Sequence, residues 1–192
     1  CDDPLMTDLD VVVFGATGFV GALVAEHLAW VAPDGARIGL AGRSKEKLER
    51  VRDGLDRDWP LLVVDARDPS ELTESARVVC TTVGPYVRYG RPLVDTCART
   101  GTHYLDLTGE VPFVRDVIDD LHEVAVASGA RLVPSCGYDS SPSDLAVLLL
   151  AEQARADGEG DLRDTTLVAS VKGGVSGGTI DSMRAQVETL KA

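Results

Sequence analysis

The sequence predicts an α/β protein: a doubly wound parallel sheet, followed by the start of a second α/β domain that is cut short. Two observations carry that expectation. Short β-branched runs alternate with amphipathic stretches over residues 11–156, the order that parallel strands joined by crossover helices require. Most of these runs are apolar at consecutive rather than alternate positions, as strands covered on both faces are.

The strand candidates are residues 11–14, 37–41, 61–64, 78–82, 103–106 and 131–134, with helix candidates at 18–31, 44–57, 69–76, 91–100, 112–128 and 143–156. Ser44 and Asp68 stand where a side-chain oxygen caps free backbone N–H groups, and Pro69 and Pro112 fit first turns, where a missing N–H costs nothing. Gly129 stands where a left-handed residue closes the fifth helix. Residues 157–164 read as a polar, glycine-bearing linker and 165–171 as a further strand. A glycine-rich loop and a helix with Ile180, Met183, Val187 and Leu190 at helical spacing follow. The expected organisation is a tail over 1–9, a first domain over 10–156, the linker, and the opening of a second domain over 165–192. A chain that starts at Cys1 and stops at the end of a helix is expected to be a fragment.

The 192 residues hold 19 Lys plus Arg against 31 Asp plus Glu, a net charge of −12. Such a field repels nucleic acid and anionic lipid, so neither is an expected partner. A composition of 44% hydrophobic and 26% charged residues is that of a globular chain, long enough to need no disulfide or metal staple. Cys1, Cys80, Cys97 and Cys136 form no CxxC pair, and the three histidines make no cluster with them. Free buried thiols are expected, and no metal. The longest apolar run, residues 145–151, is far short of the roughly 20 residues that span a bilayer, and no leader-like segment is visible. A cytoplasmic protein without a transmembrane segment follows. The bias to 21 Asp over 10 Glu and 15 Arg over 4 Lys fits salt adaptation or high genomic GC content.

The residues richest in chemistry are VVVFGATGFVG at 11–21, where an apolar strand runs into three glycines spaced by three and then a helix. Gly15 suits the tight turn, Gly18 lets backbone approach a pyrophosphate, and Gly21 lets the helix pack on the strand. The helix start offers free N–H groups to the phosphates. Gly15, Thr17, Gly18, Phe19, Val20 and Gly21 are therefore the expected cradle of a dinucleotide. At the tip of the second strand, where an NAD site places an acid, stand Arg43 and Ser44. A guanidinium binds a 2′-phosphate that a carboxylate would repel, so NADP is the expected cofactor; a solvated surface charge is the other reading of Arg43. In sheet order 3-2-1-4-5-6 the ligand lies where the order reverses, which brings Thr82, Gly84, Pro85 and Tyr86 alongside it. Asp65, ending the third strand, meets the adenine edge or caps a turn. The tips at 106–110 and 135–144 approach the nicotinamide side.

The chain resembles the NADP-binding domain of the saccharopine dehydrogenase-like oxidoreductases, and within them the branch of mycobacterial trans-acting enoyl reductases. The resemblance is carried by GATGFVG at 15–21, AGRS at 41–44, TTVGPYVRYGRPLVDTC at 81–97, YLDLTGEVPFV at 104–114, VPSCGYDSSPSDL at 133–145 and GGVSGGTIDSM at 173–183. It implies a Rossmann domain followed by a substrate and dimerisation domain. It also implies hydride transfer from NADPH to a small-molecule or lipid-linked substrate such as an enoyl intermediate. A homodimer through the second domain and a peripheral membrane association of the longer protein belong to the same expectation.

Hydride transfer also needs a group that stabilises or protonates the resulting anion. Tyr86, Tyr89 and Tyr138 are the phenols near the expected crevice, with Tyr86 and Tyr138 as candidate donors and aromatic packing as the other reading of each. Asp106, Glu110, Asp139 and Asp144 suit an acid or a polar-substrate contact, Asp144 also the start of a helix. His27, His103 and His122 fall away from the crevice. GxSxG at 174–178 matches a hydrolase elbow, but no histidine follows His122. A non-catalytic NADP-binding adaptor or redox-sensing module is the alternative from another class.

Overall fold

A computed structural model describes residues 9–170, 172, 174 and 177–189. The strands are β1 (Leu9–Phe14), β2 (Ile38–Gly42), β3 (Leu61–Val63), β4 (Ala76–Thr81), β5 (His103–Asp106) and β6 (Leu132–Val133). They form one parallel sheet in the order β3-β2-β1-β4-β5-β6. Successive strands are joined by α1 (Phe19–Val31), α2 (Lys45–Leu55), α3 (Ser70–Ser75), α4 (Tyr86–Thr100) and α5 (Val111–Ser128). Beyond β6 come α6 (Ser141–Ala156) and α7 (Gly177–Thr189).

Because side chains alternate across a strand, β1 feeds two cores. Val12 and Phe14 join Val79, Leu93, Tyr104, Phe113 and Leu121 on one face. Val13 joins Ala25, Leu40 and Leu48 on the other. The consecutive apolar run of β1 is thus explained by helices on both sides of it.

The helix ends follow local chemistry in most places. The Ser44 hydroxyl accepts the Lys47 N–H at 3.3 Å and caps α2, and Gly129 ends α5 in a left-handed conformation. Asp68 is not a cap: its carboxylate accepts the Ser70 hydroxyl, and Pro69 takes the N-cap position of α3. α4 begins at Tyr86, five residues before the expected 91, and carries Pro92 inside it. Residues 165–170 form no strand; Val168 is exposed, and among the described residues no strand pairs with this segment. Val171 and part of the 174–178 loop lie outside the described residues, as do Cys1 and the rest of residues 1–8 of the expected tail over 1–9, whose last residue, Leu9, opens β1. Of the thiols expected to be buried, Cys97 is buried, Cys80 is half-buried and Cys136 is exposed, because Cys136 follows the two-residue edge strand β6.

Candidate functional site

Parallel order with the reversal between β1 and β4 opens a crevice at the carboxyl ends of the strands. It holds a cleft of about 320 Å³. The β1–α1 turn contributes Gly15, Thr17 and Gly18 to its wall, and the tip of β2 contributes Gly42 and Arg43. The segment after β3 brings Asp65 and Arg67, the loop after β4 brings Thr82 and Gly84, and α4 brings Tyr89.

The floor of the cleft is an interlock of β1, α1 and β4. Gly15 has φ +89°, which a side chain would strain, and a Cβ there would meet the Thr82 hydroxyl oxygen at 2.7 Å. Its N–H donates to the Ala41 carbonyl, tying the turn to β2 at 2.9 Å. Its carbonyl accepts the Gly18 N–H at 2.9 Å and the Thr82 hydroxyl at 3.3 Å. Gly21 lies against the same carbonyl, leaving no room for a side chain. The amino end of α1 starts from Gly18 with no side-chain cap and no acid in its first turn. Its N–H groups and partial positive charge are therefore open to an anion.

The expected site residues are distributed unevenly over this geometry. Gly15, Thr17, Gly18, Arg43, Asp65, Thr82 and Gly84 come together on the wall. Phe19 is 74% exposed and Val20 half-buried; neither side chain lines the cleft, though both stand in the first turn of α1. Gly21 sits behind the wall as a packing position. The Ser44 hydroxyl is engaged by the α2 cap and donates to the Glu46 carboxylate at 2.9 Å. Glu46 is held below the usual carboxylate range by its own backbone N–H and that hydroxyl. The Asp65 carboxylate accepts the Arg67 N–H at 2.9 Å, so it closes a turn while also lining the cleft. Pro85 and Tyr86 are buried behind the loop.

The candidate proton donors are corrected by their surroundings. The Tyr86 hydroxyl donates to the Thr81 carbonyl at 3.1 Å inside the core, and burial, with Asp106 nearby, pushes it well above an ordinary phenol. Tyr138 is 84% exposed and absent from the cleft wall. The phenol on the wall is Tyr89. Asp106 and Glu110 are likewise turned into the fold. Asp106 accepts the Tyr104 hydroxyl at 2.6 Å and the N–H groups of Thr108 and Ser135 at 2.9 and 2.8 Å. Burial raises it above the usual carboxylate range despite those bonds. Glu110, 1% exposed, accepts the N–H groups of Tyr86 at 3.0 Å and Val87 at 2.7 Å and so caps α4. Asp139 is exposed beside Gly137, and Asp144 lies in the first turn of α6.

Phe14, Gly42, Ala66 and Val83 also line the wall without having been expected there, and Arg67 is the charged wall residue that sequence reasoning missed. It follows no motif, and its place depends on the turn over residues 65–68, in which the Asp68 N–H returns to the Asp65 carbonyl at 3.1 Å. Among the described residues no group of His, Cys, Asp or Glu is arranged to hold a metal ion. No described helix is long and apolar enough to cross a membrane. The donor set fits a dinucleotide phosphate: a cradle a Cβ would fill, an open helix amino end, and guanidiniums at the β2 and β3 tips.

Comparisons with known proteins agree with that fit. The family described as the saccharopine dehydrogenase NADP binding domain matches residues 11–133. A trans-acting enoyl reductase of Mycobacterium leprae is 52% identical over 185 residues, covering 92% of this chain and 44% of that protein. A trans-acting enoyl reductase of Mycobacterium tuberculosis strain H37Rv is 48% identical over 197 residues, covering 98% of this chain and 47% of that protein. The chain thus spans less than half the length of these curated relatives. Among solved structures, apo saccharopine dehydrogenase (L-Glu forming) of Saccharomyces cerevisiae superposes with a TM-score of 0.65 at 18% identity, covering 78% of this chain and 32% of that one. At that identity the likeness is one of fold.

Proposed function

The chain belongs to the saccharopine dehydrogenase NADP-binding domain family, and from that membership we propose that it is the cofactor-holding part of an oxidoreductase acting on an enoyl or other lipid-linked substrate. The observation that carries this reading is the interlock of Gly15, Gly21 and Thr82 beneath a cleft whose rim bears Arg43. In this reading residues 10–156 hold the nucleotide, 157–164 link, and 165–192 open a substrate and dimerisation domain. The names of the mycobacterial relatives support the enoyl acceptor. A dimer, and any peripheral contact with a membrane, would rest on that second domain.

Each wall residue then has a task. The open amino end of α1, through the N–H groups of residues 19 and 20, takes the pyrophosphate. Arg43 takes the 2′-phosphate by a forked, charge-assisted contact. Asp65 keeps one carboxylate oxygen for the adenine edge. Gly84 has no side chain to obstruct a ring lying along the β4 loop, and Tyr89 closes that wall. NADPH, when bound, supplies a hydride from its nicotinamide. One observation favours a second reading, a non-catalytic adaptor or redox-sensing module: Tyr86, Asp106 and Glu110 are all spent inside the fold.

Titration of the chain with NADPH and NADH, followed by reduced-nicotinamide fluorescence, tests the cofactor reading. NADPH is expected to bind more tightly, and Arg43→Ala to lose about 1.5–3 kcal/mol, roughly 10- to 150-fold in affinity. Equal affinity for the two nucleotides would sink it. NADPH consumption by the longer protein with an enoyl thioester separates the enzyme from the adaptor.

A further inference from the structure

Eight of the fifteen arginines are in ion pairs, those at 37, 52, 88, 91, 99, 115, 155 and 184. The other seven, at 43, 50, 57, 67, 77, 131 and 163, have no ion-pair partner among the described residues, and of these Arg43 and Arg67 line the same cleft. They come from adjacent strand tips, Arg43 after β2 and Arg67 after β3. The backbone that carries Arg67 is built in advance: its N–H is held by the Asp65 carboxylate, and the Asp68 N–H closes the turn on the Asp65 carbonyl.

We infer that Arg67 is a second specificity-determining cation for the cofactor, clasping a phosphate monoester at the adenosine end together with Arg43. This rests on the NADP reading above. Position separates this anion from the pyrophosphate. Neighbouring strands lie about 4.8 Å apart, so the tip of β3 stands about 10 Å from the β1–α1 turn, with β2 and Arg43 between them. The charge that Arg67 meets is thus on the far side of Arg43 from the α1 amino end. A phosphate monoester carries close to two negative charges near neutral pH, which one guanidinium does not neutralise and two do. The carboxylate on the same wall, Asp65, has one oxygen occupied by the Arg67 N–H, which lessens its repulsion of the same anion.

The test uses the 192-residue chain with two probes, 2′,5′-ADP and 5′-AMP, titrated by calorimetry into wild type, Arg43→Ala, Arg67→Ala, Arg67→Lys and Arg163→Ala. Arg163 is exposed and is not part of the cleft wall, so its variant removes one charge and reports only the long-range field. The expected result is a wild-type preference for 2′,5′-ADP that falls roughly tenfold or more in Arg67→Ala while 5′-AMP affinity changes less than about twofold. Arg67→Lys recovers part of the preference, as a point charge in place of a fork does, and Arg163→Ala retains it. Preference kept in Arg67→Ala but lost in Arg43→Ala overturns this inference and leaves the cofactor reading standing. No preference in the wild type overturns both. Because Arg67 is exposed, the variants should keep the wild-type melting temperature, and circular dichroism checks that they do.

Discussion

A methyl group built on Gly21 would lie 2.1 Å from the carbonyl oxygen of Gly15. That oxygen is held by the Gly18 N–H and the Thr82 hydroxyl, so it has nowhere to retreat. Gly21→Ala is therefore expected to force α1 off β1, at about 1–3 kcal/mol in stability, and to weaken NADPH binding with it. Gly54→Ala, in α2 with nothing near its Cβ position, should instead stabilise by about 0.5–1 kcal/mol. Urea unfolding of both variants, with an NADPH titration of the first, checks the pair. A Gly21→Ala protein of wild-type stability would show that the helix can shift freely.

Glu110 is the long-range cap of α4. Glu110→Ala leaves the N–H groups of Tyr86 and Val87 without an acceptor, for an expected loss of about 2–4 kcal/mol. Glu110→Gln keeps one acceptor oxygen and should lose about half as much. Denaturant midpoints decide it, and equal midpoints for Ala and Gln would mean that the acceptor oxygens do not matter.

Asp106 gives stability a pH dependence of definite sign. Burial raises its folded value above the ordinary 3.8. A carboxyl that holds its proton more tightly when folded contributes most below 3.8, and the contribution is lost as pH rises through the raised value. Asn at this position does not titrate. Its oxygen accepts from Thr108 and Ser135, and its amide donates to the Tyr104 oxygen. The stability of Asp106→Asn relative to wild type should therefore rise between about pH 4 and pH 8. Unfolding curves at those two values test this, and a pH-independent difference between the proteins would contradict it.

The thiols should react in a fixed order. Burial, with Cys136 and Asp106 nearby, pushes Cys80 up to about 11, and burial pushes Cys97 up to about 12. Few thiolates form at either position at pH 8; Cys97 is buried and Cys80 half-buried. Among the three described thiols Cys136, exposed though also raised by burial of part of its surface, is expected to label first. Peptide mapping after brief maleimide treatment reads the order, with Cys80 modified more slowly than Cys136 and Cys97 only on unfolding.

What the sequence made legible was local. The strands and their order followed from apolar runs broken by turns, and the β1–α1 cradle from three glycines at the right place. The start of α4 was hidden because its cap, Glu110, lies 24 residues away from Tyr86. The expected helix began only at 91, yet Gly90 lies inside α4 against the Phe113 ring, and Pro92 sits in the second turn of the helix. Residues 165–171 have a strand's composition, but the described ones lack the partner that would make them a strand. Arg67 carries no motif and is placed by a turn that only the fold reveals. Tyr86 looked like a donor because topology brings it to the crevice; burial then turned its hydroxyl toward Thr81.

Glu110 also gives the crevice a polarity. Two helices, α1 and α4, present their amino ends beside the point where the strand order reverses. At α4 that end is already satisfied by the chain's own buried carboxylate. At α1 it is bare. A ligand with a phosphate in its middle and different rings at its two ends has only one of these two places to put its negative charge. The protein's own acid thus acts as a keying pin, steering a central phosphate to the β1 side of the crevice and away from the β4 side.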